Sequence, residues 1–532
     1  MASQQPSATS RRTAINTLIF SVATGLSRVA GLIREVVAAA YFGTAGAASA
    51  FTLAFQIPNL IRALVADAAL SSAFVPVFSE LLEQKKRKEA IELAGALAGL
   101  MLVALTVITI VFILLAPVII PPITGDEFTP ALDTLCIGLS QVLFPIVILL
   151  GLTGLVVGIL NVQDHFTIPA IAPLVWNVVI IAGMVGLAPL FEGDNRLYAY
   201  AIGVVAGTLV QLLMMLPTLR RMGFPISRIR LPRRGDERVK QILMLMLPVS
   251  IGLGLININL LLNSTIGSIV SDQVPRAIDA AFRIYMLPQG MFSVAVATVL
   301  FPQLARLAAR DDHAGMRATI GTGLRQIALL LIPAGAAMLA LADPIVQLVY
   351  ERGEWTAEST ALTADALFWF AFSLPFSGFV LMLTRGFFSL QRPWVPTTLA
   401  VGSLAINAVG SYLLAKPFGI AGIVLGTIAS NAALVIAEAI LLRRALGGFE
   451  TRETLTGIAK MLLAAALLGA VAFGAHTGLQ ALLGTSLAAQ IVSVGVALAV
   501  GGAVYAAAVL GLRIAEARQI LSLLASRVRR SA

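Results

Sequence analysis

The sequence contains few charged residues. Only 12% of its 532 residues are Asp, Glu, Lys or Arg, whereas 58% are hydrophobic. A soluble domain carries about 25% charged residues, which keep its surface hydrated. The shortage therefore excludes a soluble globular protein and predicts an all-α polytopic membrane protein whose surface mostly faces lipid.

Cysteine and histidine are also scarce, with one Cys and three His in the chain. The single Cys136 excludes an intramolecular disulfide, and three scattered histidines are too few to build a zinc site with it. The loops contain no Walker A, HExxH or GxSxG pattern and no His/Asp/Ser arrangement. We therefore expect no enzymatic activity, no cofactor and no bound metal.

Apolar segments separated by polar, charged or Gly/Pro-rich breaks predict fourteen transmembrane helices. If the N-terminus is cytoplasmic, 28 of the 37 Lys and Arg residues lie on the cytoplasmic side and only 4 lie outside. This bias predicts that both termini are cytoplasmic. It also explains the net charge of +10 without a nucleic-acid partner. The predicted helices begin near residues 13, 47, 90, 130, 167, 197, 238, 276, 317, 358, 395, 419, 455 and 487.

Matching positions recur in order at a separation of 223 to 230 residues, which indicates an internal repeat. The series predicts two six-helix lobes of the same topology, related by an axis along the membrane normal, plus two C-terminal helices. The predicted boundaries are 1–222 for the N-terminal lobe, 223–237 for a basic cytoplasmic linker, 238–446 for the C-terminal lobe and 447–532 for the last two helices and a basic tail. The matching pairs include Pro145 with Pro375, Asn177 with Asn407, and Arg220-Arg221 with Arg443-Arg444.

Four arginines at membrane depth are the candidate binding residues. A charge at the bilayer centre costs a few kcal/mol, so such residues normally face a protein interior or a watery cavity. Two nearby acids, Glu35 and Asp67, could form internal salt bridges with them, which is the structural alternative. Because two acids cannot neutralise four arginines, about two positive charges remain, which suits a ligand with about two negative charges. The planar guanidinium group also matches the geometry of phosphate oxygens. The four candidates are Arg28, Arg34, Arg62 and Arg283.

Helix-bending positions lie close to these arginines. Gly25 and Gly31 loosen the first span, while Pro58 and Pro288 interrupt hydrogen bonding in the second and eighth spans. Ordinary kinked packing remains an equal alternative. A fifth span arginine, Arg385, lies near the cytoplasmic end of the tenth span and is predicted to be structural.

Two blocks of this sequence resemble a known family in residue type, order and spacing. By these blocks the chain is identified as a member of the MurJ/MviN lipid II flippase family, and the fourteen-helix count extends the match over the whole chain. The first block comprises Ser27-Arg28-Val29-x-Gly31-x-x-Arg34-Glu35, Ala54-Phe55-x-Ile57-Pro58-Asn59-x-x-Arg62 and Ala66-Asp67-x-Ala69-x-Ser71-x-Ala73-Phe74-Val75-Pro76. The second is Phe282-Arg283 with Leu287-Pro288-x-Gly290-x-Phe292.

The resemblance implies the fold of the multidrug, oligosaccharidyl-lipid and polysaccharide exporters, with a central cavity between two lobes and the four arginines as functional cavity residues. It implies alternating-access transport of lipid II, the undecaprenyl-diphosphate-linked peptidoglycan precursor, to the outer leaflet of the bacterial inner membrane. Expected partners are lipid II, membrane lipids and the cell-wall synthesis machinery. The chain has Ser49 and Asn263 where the family commonly has Asp, which argues against a carboxylate-based cation site.

Three other functions are weighed against this one. A flippase for another polyprenyl-diphosphate-linked glycan stays open, because the same arginines would hold its diphosphate. A cation-drug antiporter is disfavoured, because its cavity should be net acidic. A polyprenyl-phosphate glycosyltransferase would need a catalytic acid or base in a large outer loop, and the outer loops are short.

Overall fold

The computed structural model describes residues 8–64, 73–224, 229–232 and 236–519, and these ranges contain helices and no strand. Eleven helical stretches within them are long and apolar enough to cross a membrane. The expectation of an all-α polytopic membrane protein is therefore confirmed. The chain divides into two compact units, Met1–Gln273 and Val274–Ala532.

The described residues of the first unit form nine α-helices. The last of these, Glu237–Val270, packs against Gly46–Arg62 and Arg87–Ile119. The helices are α1 (Ala8–Phe42), α2 (Gly46–Arg62), α3 (Val75–Glu83), α4 (Arg87–Ile119), α5 (Pro130–Leu143), α6 (Ile146–Val162), α7 (Thr167–Leu187), α8 (Leu197–Arg221) and α9 (Glu237–Val270).

Residues 274–519, which are the described part of the second unit, form eight α-helices. A π-helical segment, Gln289–Ser293, separates the first two. The helix Trp394–Leu446 changes direction at Gly419, whose φ of 58° lies in the left-handed region that glycine tolerates. The helices are α10 (Val274–Pro288), α11 (Val294–Ala308), α12 (His313–Ala340), α13 (Ala342–Tyr350), α14 (Ala357–Ser389), α15 (Trp394–Leu446), α16 (Thr451–Leu483) and α17 (Leu487–Gly511).

Several helices begin at residues whose hydroxyl oxygens accept a hydrogen bond from the first turn. Thr129 caps α5, Thr356 caps α14 and Ser486 caps α17, each through the backbone N–H three residues later. Such caps satisfy donors that a helix leaves unpaired at its start. These three apolar helices therefore begin at a hydroxyl residue that satisfies one exposed backbone donor.

Helix α7 packs closely against α8, and this packing fixes the position of α7 beside α1. A Cβ atom added to Gly183 would lie 2.7 Å from the Cα of Gly203, so the two backbones approach at a distance that only glycine allows. One turn further along α8, Gly207 lies against the backbone of Trp176. Because α7 also packs against α1, this contact sets where the side chains of α7 meet the first helix.

Candidate functional site

Arg34 is held by two groups near the C-terminal end of α1. Its Nη2 donates to Oε1 of Glu35 at 2.7 Å, and its guanidinium carbon lies 4.9 Å from the ring centroid of Trp176 in α7. The Arg34 and Glu35 side chains are only 11% and 6% exposed. The Nε of Arg34 is buried and has no hydrogen-bond partner in the described chain. The arginine is therefore fixed in position, and one of its donors is buried without a hydrogen-bond partner in the described residues.

The indole of Trp176 is itself fixed by α8. Its Nε1 donates to Oγ1 of Thr208 at 3.0 Å, and that hydroxyl donates to the carbonyl of Val204 at 2.7 Å. The next residue, Asn177, donates to the carbonyls of Pro173 and of Ser27 in α1, at 2.9 Å and 3.4 Å. The position of Arg34 thus depends on three helices: α1, α7 and α8.

The two glycines of α1 have different surroundings. A Cβ atom added to Gly31 would contact the amide group of Asn177, whereas a Cβ atom added to Gly25 would have no neighbour within 4 Å. The helix continues through both of them from Ala8 to Phe42. Between the glycines lies Arg28, which is exposed and makes no hydrogen bond or ion pair with the described residues. Its guanidinium is thus fully available to a ligand.

Arg62 occupies the last turn of α2 and belongs to a polar contact with α9. Its Nε donates to Oδ1 of Asn59 at 2.9 Å, and Nδ2 of Asn59 donates to Oδ1 of Asn257 at 2.9 Å. The buried Pro58 precedes Asn59 and supplies no backbone N–H to the helix. Asp67, the predicted second carboxylate, lies outside the described residues. The link through Asn59 and Asn257 was not predicted from the sequence.

Arg283 lies on α10 in the second unit and shares a carboxylate with another arginine. Its Nε donates to Oδ2 of Asp279 at 2.8 Å, and Nη1 of Arg276 reaches the same oxygen at 3.2 Å. The side chain of Arg283 is 35% exposed, whereas those of Asp279 and Arg276 are 12% and 8% exposed. Sequence reasoning missed Asp279, although its position four residues before Arg283 is the spacing of a helical ion pair.

Pro288 lies at the C-terminal end of α10, directly before the π-helical segment. Proline removes one backbone donor, and a π-helical turn is a common way for a helix to accommodate such a break near a functional residue. Arg283 lies six residues before the first residue of this segment, Gln289. The other span arginine of this unit, Arg385, lies with its guanidinium carbon 5.2 Å from the ring centroid of Phe301.

Metal-binding groups are not assembled anywhere in the described chain, where no cluster of three or more His, Cys, Asp or Glu side chains exists. Polar residues of α15 instead bond to one another. Oγ of Ser411 donates to Oδ1 of Asn407 at 3.0 Å or to the carbonyl of Ile423 at 2.9 Å, and Thr427 approaches the same two oxygens. All these groups are neutral.

The described helices define a polytopic α-helical membrane protein. Its fold matches that of a solved structure described as lipid II flippase MurJ in an inward closed conformation, with a TM-score of 0.74, 21% identity, and coverage of 93% of this chain and 100% of that one. It also matches an inward-facing multidrug resistance MATE family transporter of the MOP superfamily, with a TM-score of 0.67, 15% identity, and coverage of 82% and 97%. At these identities the two structures show the fold alone.

The family model described as lipid II flippase MurJ matches residues 38–494. The chain therefore belongs to the lipid II flippase MurJ family, which confirms the resemblance and the prediction of a transporter. A probable lipid II flippase MurJ of Rhizobium meliloti (strain 1021) is 33% identical over 456 residues, 84% of each chain. The lipid II flippase MurJ of Burkholderia cenocepacia is 30% identical over 408 residues, 75% of this chain and 78% of that one.

Proposed function

We propose that this protein moves lipid II from the cytoplasmic to the outer leaflet of the bacterial inner membrane by alternating access. The family match over residues 38–494 carries the proposal. The four span arginines support it because lipid II carries a diphosphate between its polyprenyl tail and its headgroup. In this mechanism the tail stays in lipid while the headgroup crosses through the protein.

The diphosphate is the group that Arg28, Arg34, Arg62 and Arg283 would bind. Guanidinium donates two parallel N–H groups to phosphate oxygens, and such bonds are strong in a low-dielectric site. Arg28 is exposed and offers its guanidinium directly to a phosphate, whereas the Arg34 Nε, which is buried without a partner in the described residues, would reach a phosphate only if its surroundings opened. Arg62 and Arg283 are each oriented by a hydrogen bond that engages Nε.

Carboxylates beside these arginines would stabilise the site when no diphosphate is bound. Glu35 pairs with Arg34, and Asp279 pairs with Arg283. An unpaired cation in a low-dielectric environment is costly, so the carboxylates stabilise the site when no diphosphate is bound. The same pairing limits how tightly the ligand is held, because the phosphate must compete with a carboxylate. Product release at the outer leaflet benefits from that competition.

The topology we propose has fourteen spans with both termini in the cytoplasm. Eleven helical stretches already qualify as spans. Helix α1 and the α2–α3 pair supply one span each, and the kink at Gly419 divides the 53-residue α15 into two. These spans form two six-helix repeats, 1–222 and 238–446, joined by the linker 223–237 and followed by 447–532.

A bacterial strain that can be depleted of its own lipid II flippase tests this function. Expression of the wild-type chain should restore growth and remove the lipid II that accumulates in the inner leaflet. Separate Ala substitutions of the four arginines should reduce this rescue, and Lys should restore it only in part because it lacks the bidentate geometry. Arg238→Ala serves as the control, since Arg238 forms an exposed ion pair with Glu89.

Two results would contradict the proposal. If the wild-type chain reached the membrane and left lipid II in the inner leaflet, the function would be wrong. If all four Ala variants supported growth at native expression levels, the arginines would not form the binding site. Chemical analysis of the lipid-linked glycans in the same cells separates the two substrates, because lipid II would remain in the inner leaflet of the depleted strain if the chain moved only another polyprenyl-diphosphate glycan.

A further inference from the structure

Glu438 is a carboxylate buried inside a membrane span. It lies on α15, and it is 1% exposed. The ion pairs found among the described residues do not include it, whereas Asp279 and Glu450 both lie within 4 Å of an arginine nitrogen. Intramembrane carboxylates are rare and costly, and they commonly mark ion or proton pathways. The family-based function described above does not use this residue.

The two carboxyl oxygens of Glu438 have unequal surroundings. Oε1 accepts a hydrogen bond from Oγ1 of Thr384 on α14 at 2.9 Å. Oε2 is buried and has no hydrogen-bond partner in the described chain. An ionised carboxylate needs donors at both oxygens when it is removed from water, and a single neutral hydroxyl does not compensate for its lost hydration. A proton on the carboxyl group removes most of this cost.

Within the part of the chain that the structure describes, no Lys, Arg or His nitrogen lies within 4 Å of the Glu438 carboxyl group to compensate its charge. On the neighbouring helix α14, the nearest cation in sequence is Arg385, whose guanidinium lies against the ring of Phe301. On α12, which also packs against α15, Arg317 donates to the carbonyl of Leu446 and Arg325 pairs with Glu516 and Glu450. The remaining ionisable groups of these three helices are His313, Glu358, Asp365, Tyr412, Lys416, Arg443 and Arg444.

We infer that Glu438 is a proton-binding site of this transporter. It holds a proton while α14 and α15 pack as they do here, and it releases that proton to water when the contact with Thr384 opens. Glu438 lies five residues before Arg443, roughly 7 Å along the helix axis, so water would reach it from the cytoplasmic end of α15 in the proposed orientation. The site thereby links the packing of α14 against α15 to cytoplasmic pH.

The effect of pH on the packing of α14 against α15 depends on which protonation form of Glu438 is compatible with burial. The neutral carboxyl group is compatible with burial, so low pH favours the packed arrangement of α14 and α15. The carboxylate needs water, so rising pH favours their separation. Glu438→Gln keeps an oxygen that can accept from Thr384 and cannot ionise, so it should hold the packed arrangement at every pH.

Infrared spectroscopy of the full-length protein in an ester-free detergent measures the proton directly. The wild-type chain should show a protonated-carboxyl band that Glu438→Gln removes and that the control Glu358→Gln, at an exposed position, retains. Thr384→Val removes the donor to Oε1 and leaves the ionised form without that hydrogen bond, so the band should also be present in this variant. A wild-type spectrum without a band assignable to Glu438 would overturn the inference, because the glutamate would then be ionised.

A transport measurement tests whether the proton affects function, and it rests on the proposed lipid II flipping. In proteoliposomes, the dependence of flipping on the pH of the cytoplasm-facing side should be lost in Glu438→Gln and retained in Glu358→Gln. An unchanged pH profile in Glu438→Gln would overturn the coupling even if the infrared band were present. Because the infrared measurement needs no lipid II, failure of the proposed function and failure of the proton site remain distinguishable.

Discussion

Arg34 and Trp176 form a cation–π contact between α1 and α7, with the guanidinium carbon 4.9 Å from the ring centroid. The indole cannot turn away without losing its hydrogen bond to Thr208. The ring face therefore stabilises the cation without neutralising it, unlike the carboxylate of Glu35. In the proposed function, this contact would help Arg34 to bind a phosphate.

Trp176→Leu should slow lipid II flipping while the protein still inserts and folds. A buried cation–π contact contributes about 1 kcal/mol, which is roughly fivefold in affinity. Trp176→Phe should retain part of the activity because it keeps an aromatic face. Thr208→Val should be intermediate because it frees the indole. Flipping rates in proteoliposomes measure the effect, with Trp394→Leu as the control at a tryptophan that is 55% exposed. Equal rates for Trp176→Leu and the wild type would contradict this role.

Asp279→Ala should destabilise the second unit. The substitution removes the carboxylate that Arg276 and Arg283 share, and loss of one partner of a buried ion pair costs about 3 kcal/mol. Asp279→Glu should recover part of the stability because it restores the charge. The midpoint of thermal unfolding in detergent measures the change. An unaltered midpoint for Asp279→Ala would show that the pair does not stabilise this helix.

Cysteine labelling tests the proposed orientation. In a Cys136→Ala background, single cysteines at Glu127 and Glu354 should react with an impermeant thiol reagent added outside cells, whereas cysteines at Gln84 and His313 should not. All four positions are exposed in the structure. Gly125 is unsuitable, because an added Cβ would lie 2.5 Å from backbone atoms of Ser268 and Ile269. The reverse labelling pattern would contradict cytoplasmic termini.

Transport should follow the membrane potential and should not require a sodium gradient. Moving two negative charges outward across roughly 150 mV would gain at most about 7 kcal/mol. The polar residues of α15 do not suggest a strong cation site, since Asn407, Ser411 and Thr427 are neutral and hydrogen-bond one another or a carbonyl. Flipping in proteoliposomes with choline in place of sodium should persist and respond to an imposed potential. Strict sodium dependence without any response to potential would contradict this prediction.

The sequence predicts the helical membrane fold well because apolar runs of sufficient length leave few alternatives to a membrane helix. It also places the arginines on spans, because a charge in an apolar run is conspicuous. The partners of those arginines are less predictable. Trp176 approaches Arg34 from a helix far away in the chain, and Asn257 reaches Asn59 across about 200 residues, so only packing reveals these contacts.

Buried carboxylates also differ in how far the sequence predicts them. Asp279 could be found by its helical spacing from Arg283, whereas Glu438 shows no pattern in the sequence that distinguishes it from an acid at a helix end. Its significance comes from burial and from an oxygen without a partner, which are properties of the packed helices.

Reconstituted flipping of labelled lipid II tests the central claim most directly. Purified wild-type protein in liposomes with an imposed potential should move the headgroup of lipid II from the cytoplasmic-equivalent leaflet to the opposite one. Protein with all four arginines replaced by Ala should be at least roughly tenfold slower, because about 1.4 kcal/mol or more of phosphate binding is lost. If wild-type and four-arginine-variant proteoliposomes both left lipid II in its original leaflet, or moved it equally fast, the account would be contradicted.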